Sequence, residues 1–159
     1  MLPAFSGQPI RVEIRRPLGP HLAASSIRRR LILLDPAVLD GRGEFERILI
    51  HEIFHFAWLR LGNPARRGWE RLLFREIRAR APGELGWSAE WRKTKLREND
   101  LAGRSPAWRR YICESFCDTA AWRFADLGRH PEFTLPRRYR LSRRRWFDAA
   151  FSPARTIPI

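Results

Sequence analysis

Three polar side chains fall within five residues of an otherwise apolar stretch: His51, Glu52 and His55 in "ILIHEIFHFAWL", Ile48 to Leu59. On a helix turning about 100° per residue, the two histidines lie one turn apart and project in the same direction. Glu52 falls between Ile48, Leu49, Phe56 and Leu59, so its face is apolar. Buried polar groups are costly without partners, and a buried carboxylate more than most. A single divalent cation answers for all three. Neutral imidazoles at i and i+4 donate nitrogens to one ion, and the intervening carboxylate points at its open, water-bearing side. Two imidazoles with an oxygen donor suit Zn²⁺. A catalytic zinc ion takes a third protein ligand, for which the chain offers Cys113, Glu114, Cys117 and His130.

The pattern is H-E-x-x-H. A metzincin would carry glycine at 58 and histidine at 61, where this chain has Trp58 and Leu61, so that class is excluded. Further on, "YICESFCDTAAW" places Glu114 and Asp118 at i and i+4, on one helix face. With that second motif the chain resembles the gluzincin metallopeptidases, the thermolysin-like clan, whose H-E-x-x-H is followed on a later helix by E-x-x-x-D. The resemblance covers roughly Leu31 to Leu61 and Pro106 to Leu127, about a third of the chain. It implies a zincin-like fold and a zinc metalloendopeptidase. In that reading His51, His55 and Glu114 are ligands, Glu52 is the general base and Asp118 accepts a hydrogen bond from a ligand histidine. A carboxylate in that last position fixes the imidazole tautomer and raises its basicity. The clan also supplies a tyrosine or histidine to stabilise the oxyanion. No residue aligns with it, and Tyr111, His130 and Tyr139 are the candidates.

These residues need elements to position them. "IRVEI", Ile10 to Ile14, alternates as a half-buried strand does, and "LILLD", Leu31 to Asp35, reads as a second strand closed by Pro36. In peptidases of the resembled kind, a strand edge upstream of the metal helix holds extended substrate, and "LILLD" is placed for that role. The triplet Gly41-Arg42-Gly43 marks a turn. The metal helix then runs from about Glu44 to Leu61, stopped by Gly62-Asn63-Pro64. A second helix covers about Pro64 to Arg80. A short one is expected within "SAEWRKTKLREND", capped by Ser88. Ser105-Pro106 opens a long helix closed by Gly128. Residues 129–159 read as a basic, mostly irregular C-terminal arm with a short helix near "SRRRWFDAAF". The expected architecture is α+β: one domain, residues 1–159, in which a small twisted sheet and a packed second helix support the metal helix.

The bulk properties bound the partners. The 159 residues suffice for one domain with a core. No apolar run reaches the roughly 18 residues of a membrane span, and the first residues do not read as a signal peptide. The expected location is cytoplasmic, with no membrane partner, and Cys113 and Cys117 are expected as core thiols. Lys+Arg number 31 against 17 Asp+Glu, a net charge of +14. Beside a protein or peptide substrate, such a surface makes a polyanion or nucleic acid a candidate partner. The alternative to a peptidase is therefore a basic nucleic-acid-associated protein, or a regulator in which a cysteine completes a non-catalytic zinc site.

Overall fold

The computed structural model describes residues 2–15, 22–41, 43–151 and 156–159. Arg42, the middle of the expected turn, lies outside them; Gly43 beside it takes φ +77°, and a Cβ there would collide with Leu127. Among the described residues the fold is α+β, with six α-helices and five short strands.

The three-stranded sheet has β4 (Leu31–Leu34) at its centre, parallel to β2 (Arg11–Ile14) and antiparallel to β3 (Ala23–Ser26). Three of the four β4 residues are buried, as a central strand covered by its neighbours and a helix requires. "LILLD" is therefore not the edge expected of it. The edge nearest the helix that carries His51 and His55 belongs to β3, which the sequence left unassigned. A second pair, β1 (Phe5–Ser6) with β5 (Ile157–Pro158), runs parallel and ties the two ends of the described chain together.

Helix α1 (Glu44–Arg60) is apolar on nearly every side because it is sandwiched. Ile48 and Phe56 face the sheet with Ile32, Leu34 and Val38. Ile50, Phe54, Ala57 and Trp58 face α5 (Pro106–Phe124), its most extensive packing partner. Ser105 caps α5 as expected, its hydroxyl accepting from Trp108 N. The helix stops at Phe124, before the expected Gly128, since Asp126 turns to φ +52°. Helix α2 (Asn63–Arg78) buries Trp69, Leu72 and Leu73 along one stripe. Helix α3 (Trp87–Lys93) starts at a Gly86 cap without help from Ser88, and α4 (Glu98–Ala102) is a single turn.

The C-terminal segment is not a mostly irregular arm. Helix α6 (Arg137–Ala150) starts earlier than "SRRRWFDAAF" predicts and inserts Phe147 into the main core, where its ring stacks on Phe116 at 5.2 Å. Arg143 on the same face is fully buried. It is ion-paired with Glu76 of α2 at 2.7 Å and with Glu84, on the loop before α3, at 2.6 Å. Two carboxylates from distant segments make an arginine a core residue here, and no local pattern announces it.

Candidate metal centre

Helices α1 and α5 cross so that the two sequence motifs face each other. His51 Nε2 and His55 Nε2 lie 3.2 Å apart. Glu114 Oε2, from α5, lies 3.3 Å from His51 Nε2 and 3.9 Å from His55 Nε2. Ligands held tetrahedrally at the zinc–nitrogen and zinc–oxygen distances of about 2.0–2.2 Å are separated from one another by about 3.3–3.6 Å. The three donor atoms are thus spaced close to one face of such a tetrahedron.

Each donor is aimed by a partner. His51 Nδ1 lies 2.7 Å from Asp118 Oδ1, which leaves Nε2 to face the cluster. The other carboxylate oxygen of Asp118 accepts from Ala89 N of α3 at 2.9 Å. That contact requires Gly86: a Cβ there would sit 2.2 Å from Asp118 Cγ. His55 Nδ1 lies 3.6 Å from Cys113 Sγ. Arg92 of α3 pairs with Glu114 Oε1 at 3.1 Å, leaving Oε2 turned to the histidines.

The charges follow from this geometry. Burial would raise the Glu114 carboxyl, but the hydrogen bond and charge of His51, with His55 and Arg92, hold it down to about 2. Burial would lower His51, yet the Asp118 carboxylate and the bond to Glu114 push it well above the ordinary imidazole value. His55 rises less: burial opposes, and Cys113 favours, its charged form. The hydrogen bond from Cys117 brings Cys113 down to about 6 against burial, with His55 assisting. Cys117 itself, wholly buried, is raised well above the usual thiol range, first by burial and then by its bond to Cys113. Both cysteines are free, as expected, and both pack against the main core.

Cys117 joins the two histidines as a group that could hold a metal ion, with its Sγ and one nitrogen of each ring within 4.8 Å of one another. The buried cluster thus contains two candidates for a third donor. Glu114, held anionic by its neighbours, lies 3.3 and 3.9 Å from the two Nε2 atoms and is turned toward them by Arg92. The Cys117 thiol, like the charged His51, would release a proton on binding an ion.

Beside this cluster opens a cavity of about 310 Å³, whose lining includes His51, Glu52, Asp118, Ile48, Ala23 of β3 and Trp87 of α3. Glu52 is 7% exposed and borders the cavity. Among the described residues it takes part in none of the ion pairs that occupy Glu114 and Asp118. The cavity wall also holds Arg47, neutralised by Glu44 at 2.7 Å and Glu132 at 3.0 Å, and Glu132 accepts from Trp87 N.

The oxyanion candidates stand apart from this cluster. Tyr111 is fully buried and its hydroxyl donates to Glu84 at 2.5 Å, so it is a member of the Arg143 network and cannot serve a bound substrate. His130 Nε2 is paired with Glu44 at 2.5 Å, and the Tyr139 hydroxyl accepts from Arg138 at 2.9 Å; neither borders the cavity. Sequence reasoning missed Gly86, Arg92 and Ala23, because each acts through contacts made in three dimensions. Cys113 carried a local signal, one residue before Glu114 on the same helix.

No protein-family model matches the chain, and no curated protein or solved structure matches it. Among the described residues no helix is long and apolar enough to cross a membrane.

Proposed function

We propose that the chain is a zinc-dependent metalloendopeptidase of gluzincin type, with a zincin-like fold, acting on a protein or peptide substrate. The observation that carries this reading is the convergence of His51 Nε2, His55 Nε2 and Glu114 Oε2 within 3.9 Å beside a cavity that Glu52 borders. Two neutral imidazoles and one carboxylate are the donor set of many hydrolytic zinc sites. When bound, zinc supplies Lewis acidity, which polarises a carbonyl and acidifies water.

The remaining work falls to the protein. Asp118 holds His51 in the tautomer that presents Nε2, and Cys113 does the same for His55. Arg92 keeps one oxygen of Glu114 occupied, so that the other faces the histidines. The Glu52 carboxylate accepts the proton of the attacking water and delivers it to the departing amine nitrogen. Among the described residues β3 has no strand on its outer side, where it would offer main-chain hydrogen bonds to an extended substrate, and Ala23 of that strand lines the cavity.

The test uses purified protein, a quenched-fluorescence peptide mixture and unfolded casein. Zinc-dependent cleavage that a chelator abolishes and added zinc restores is expected. Glu52→Gln should keep its zinc and lose at least about 10²-fold in rate. Full zinc loading with no cleavage of any substrate, or undiminished cleavage by Glu52→Gln, would overturn the reading. A second reading, a regulator with a closed zinc site, draws on the proximity of Cys117 to both histidines. It requires sulfur in the coordination shell.

A further inference from the structure

Arginine recurs every four residues on the outer face of α2, at Arg67, Arg71 and Arg75, all exposed. On a helix that spacing aligns them in one row, about 6 Å per step and about 12 Å in all. The row forms a wall of a groove of about 580 Å³. Its floor is apolar: Phe74 of α2, Leu101 of α4 and Trp108 of α5. Glu70 is the acidic residue lining it, and that carboxylate is already taken by Arg104 and by the Trp108 indole N–H at 2.9 Å. Among the described residues, Arg67, Arg71 and Arg75 have no acidic partner within 4 Å. An adjoining hollow shares Arg67, Glu70 and Arg104 and extends the positive surface to Arg109. None of the groove residues borders the cavity beside the histidines.

Three unpaired guanidinium groups in a row demand an extended ligand with repeated negative charge, since a single anion would meet only one or two of them. Of the apolar lining, Trp108 is 1% exposed and Phe74 38%, so Phe74 is the ring a ligand can reach. A single nucleic-acid strand meets both features, its phosphates on the arginine row and a base on the exposed ring. A basic track with an aromatic platform is the common plan of sequence-tolerant single-strand binding. Phe74 is the exposed ring of this groove; Arg78 stands over one face at 5.7 Å, and a base would stack on the other. We infer that the α2 groove is a binding site for single-stranded nucleic acid, its phosphates met by Arg67, Arg71 and Arg75 and a base stacked on Phe74. The site does not depend on the metal centre.

Fluorescence anisotropy with a labelled oligothymidylate tests this on the full-length protein. Neutralising three phosphates of a single strand gives a log–log salt slope near −2, or about 20-fold weaker binding when salt is raised fourfold. Arg67→Gln/Arg71→Gln/Arg75→Gln should weaken binding by about tenfold or more at low salt and flatten the slope. Phe74→Ala should weaken it about fivefold or more with little change in slope. A control triple of equal charge on α6, Arg137→Gln/Arg144→Gln/Arg145→Gln, should bind nearly as the parent does, and so should Glu52→Gln. Equal losses for the two triples would reduce the effect to general positive charge and overturn the site. So would absence of binding at low salt, indifference to Phe74→Ala, or tighter binding to anionic phospholipid vesicles or a poly-glutamate peptide.

Discussion

Glu114 keeps its charge in a place that burial would deny it, because His51, His55 and Arg92 surround it. The same carboxylate is therefore ready to ligate, while His51 gives up its own proton when an ion binds. Asp118 works one step back, through the Nδ1 of His51. Asp118→Ala should lower zinc affinity by about 10- to 100-fold while leaving the metal-to-protein ratio at saturation unchanged, as competition with a chromogenic chelator would show. Cys113 gives a sharper case, since its sulfur lies 3.6 Å from His55 Nδ1 and it is not among the proposed ligands. Cys113→Ser retains an acceptor and should bind zinc more tightly than Cys113→Val, which has none. Equal affinities for the two variants would remove Cys113 from the positioning of His55.

Elements explain why some of this could be read from sequence and some could not. The helical period alone sets His51 beside His55 and Glu114 beside Asp118, so both motifs were legible before any fold was known. That α1 and α5 pack face to face was implied only by the resemblance. Strand β3 stayed hidden because Ala23, Ala24, Ser25 and Ser26 show no apolar alternation; pairing with β4 makes them a strand. Helix α6 reads as too short because its first residues, Arg137 to Leu141, are mostly arginine and carry little apolar period; Arg143, inside the expected helix, looks like a surface residue until Glu76 and Glu84 arrive from elsewhere in the chain. Helix α3 depends on a contact with no sequence signature, the approach of Gly86 to Asp118. Gly86→Ala should force the Asp118 carboxylate aside. A lower melting temperature together with weaker zinc binding is expected, measured by differential scanning fluorimetry with and without zinc. A loss of stability with unchanged zinc affinity would separate α3 from the metal centre.

At the scale of the whole molecule, one charged network joins α2, α5, α6 and the loop before α3. Arg143 holds Glu76 and Glu84, and Glu84 also accepts from Tyr111. Burial opposes ionisation of Glu84, but the Arg143 charge and hydrogen bonds, with Lys93, bring it below its ordinary value of 4.5. A carboxyl lowered on folding stabilises above its unfolded value, and that contribution is lost as pH falls through the folded one. Glu76 is shifted upward, chiefly by burial, so its contribution has the opposite sign. Glu84→Gln isolates the first. It should cost about 3 kcal/mol near neutrality, and the gap to the parent should narrow below about pH 4.5, as urea denaturation at a series of pH values would report. A gap independent of pH would mean that Glu84 does not enter the fold ionised.

The metal assignment underlies the proposed function, and the coordination shell tests it most directly. Zinc K-edge absorption on the reconstituted protein should give nitrogen and oxygen scatterers at about 2.0–2.2 Å, with two imidazoles and no sulfur. A sulfur shell at about 2.3 Å would place Cys117 on the metal in place of, or beside, Glu114, and a chain that takes up no zinc at all would leave the cluster of His51, His55 and Glu114 without its proposed ion.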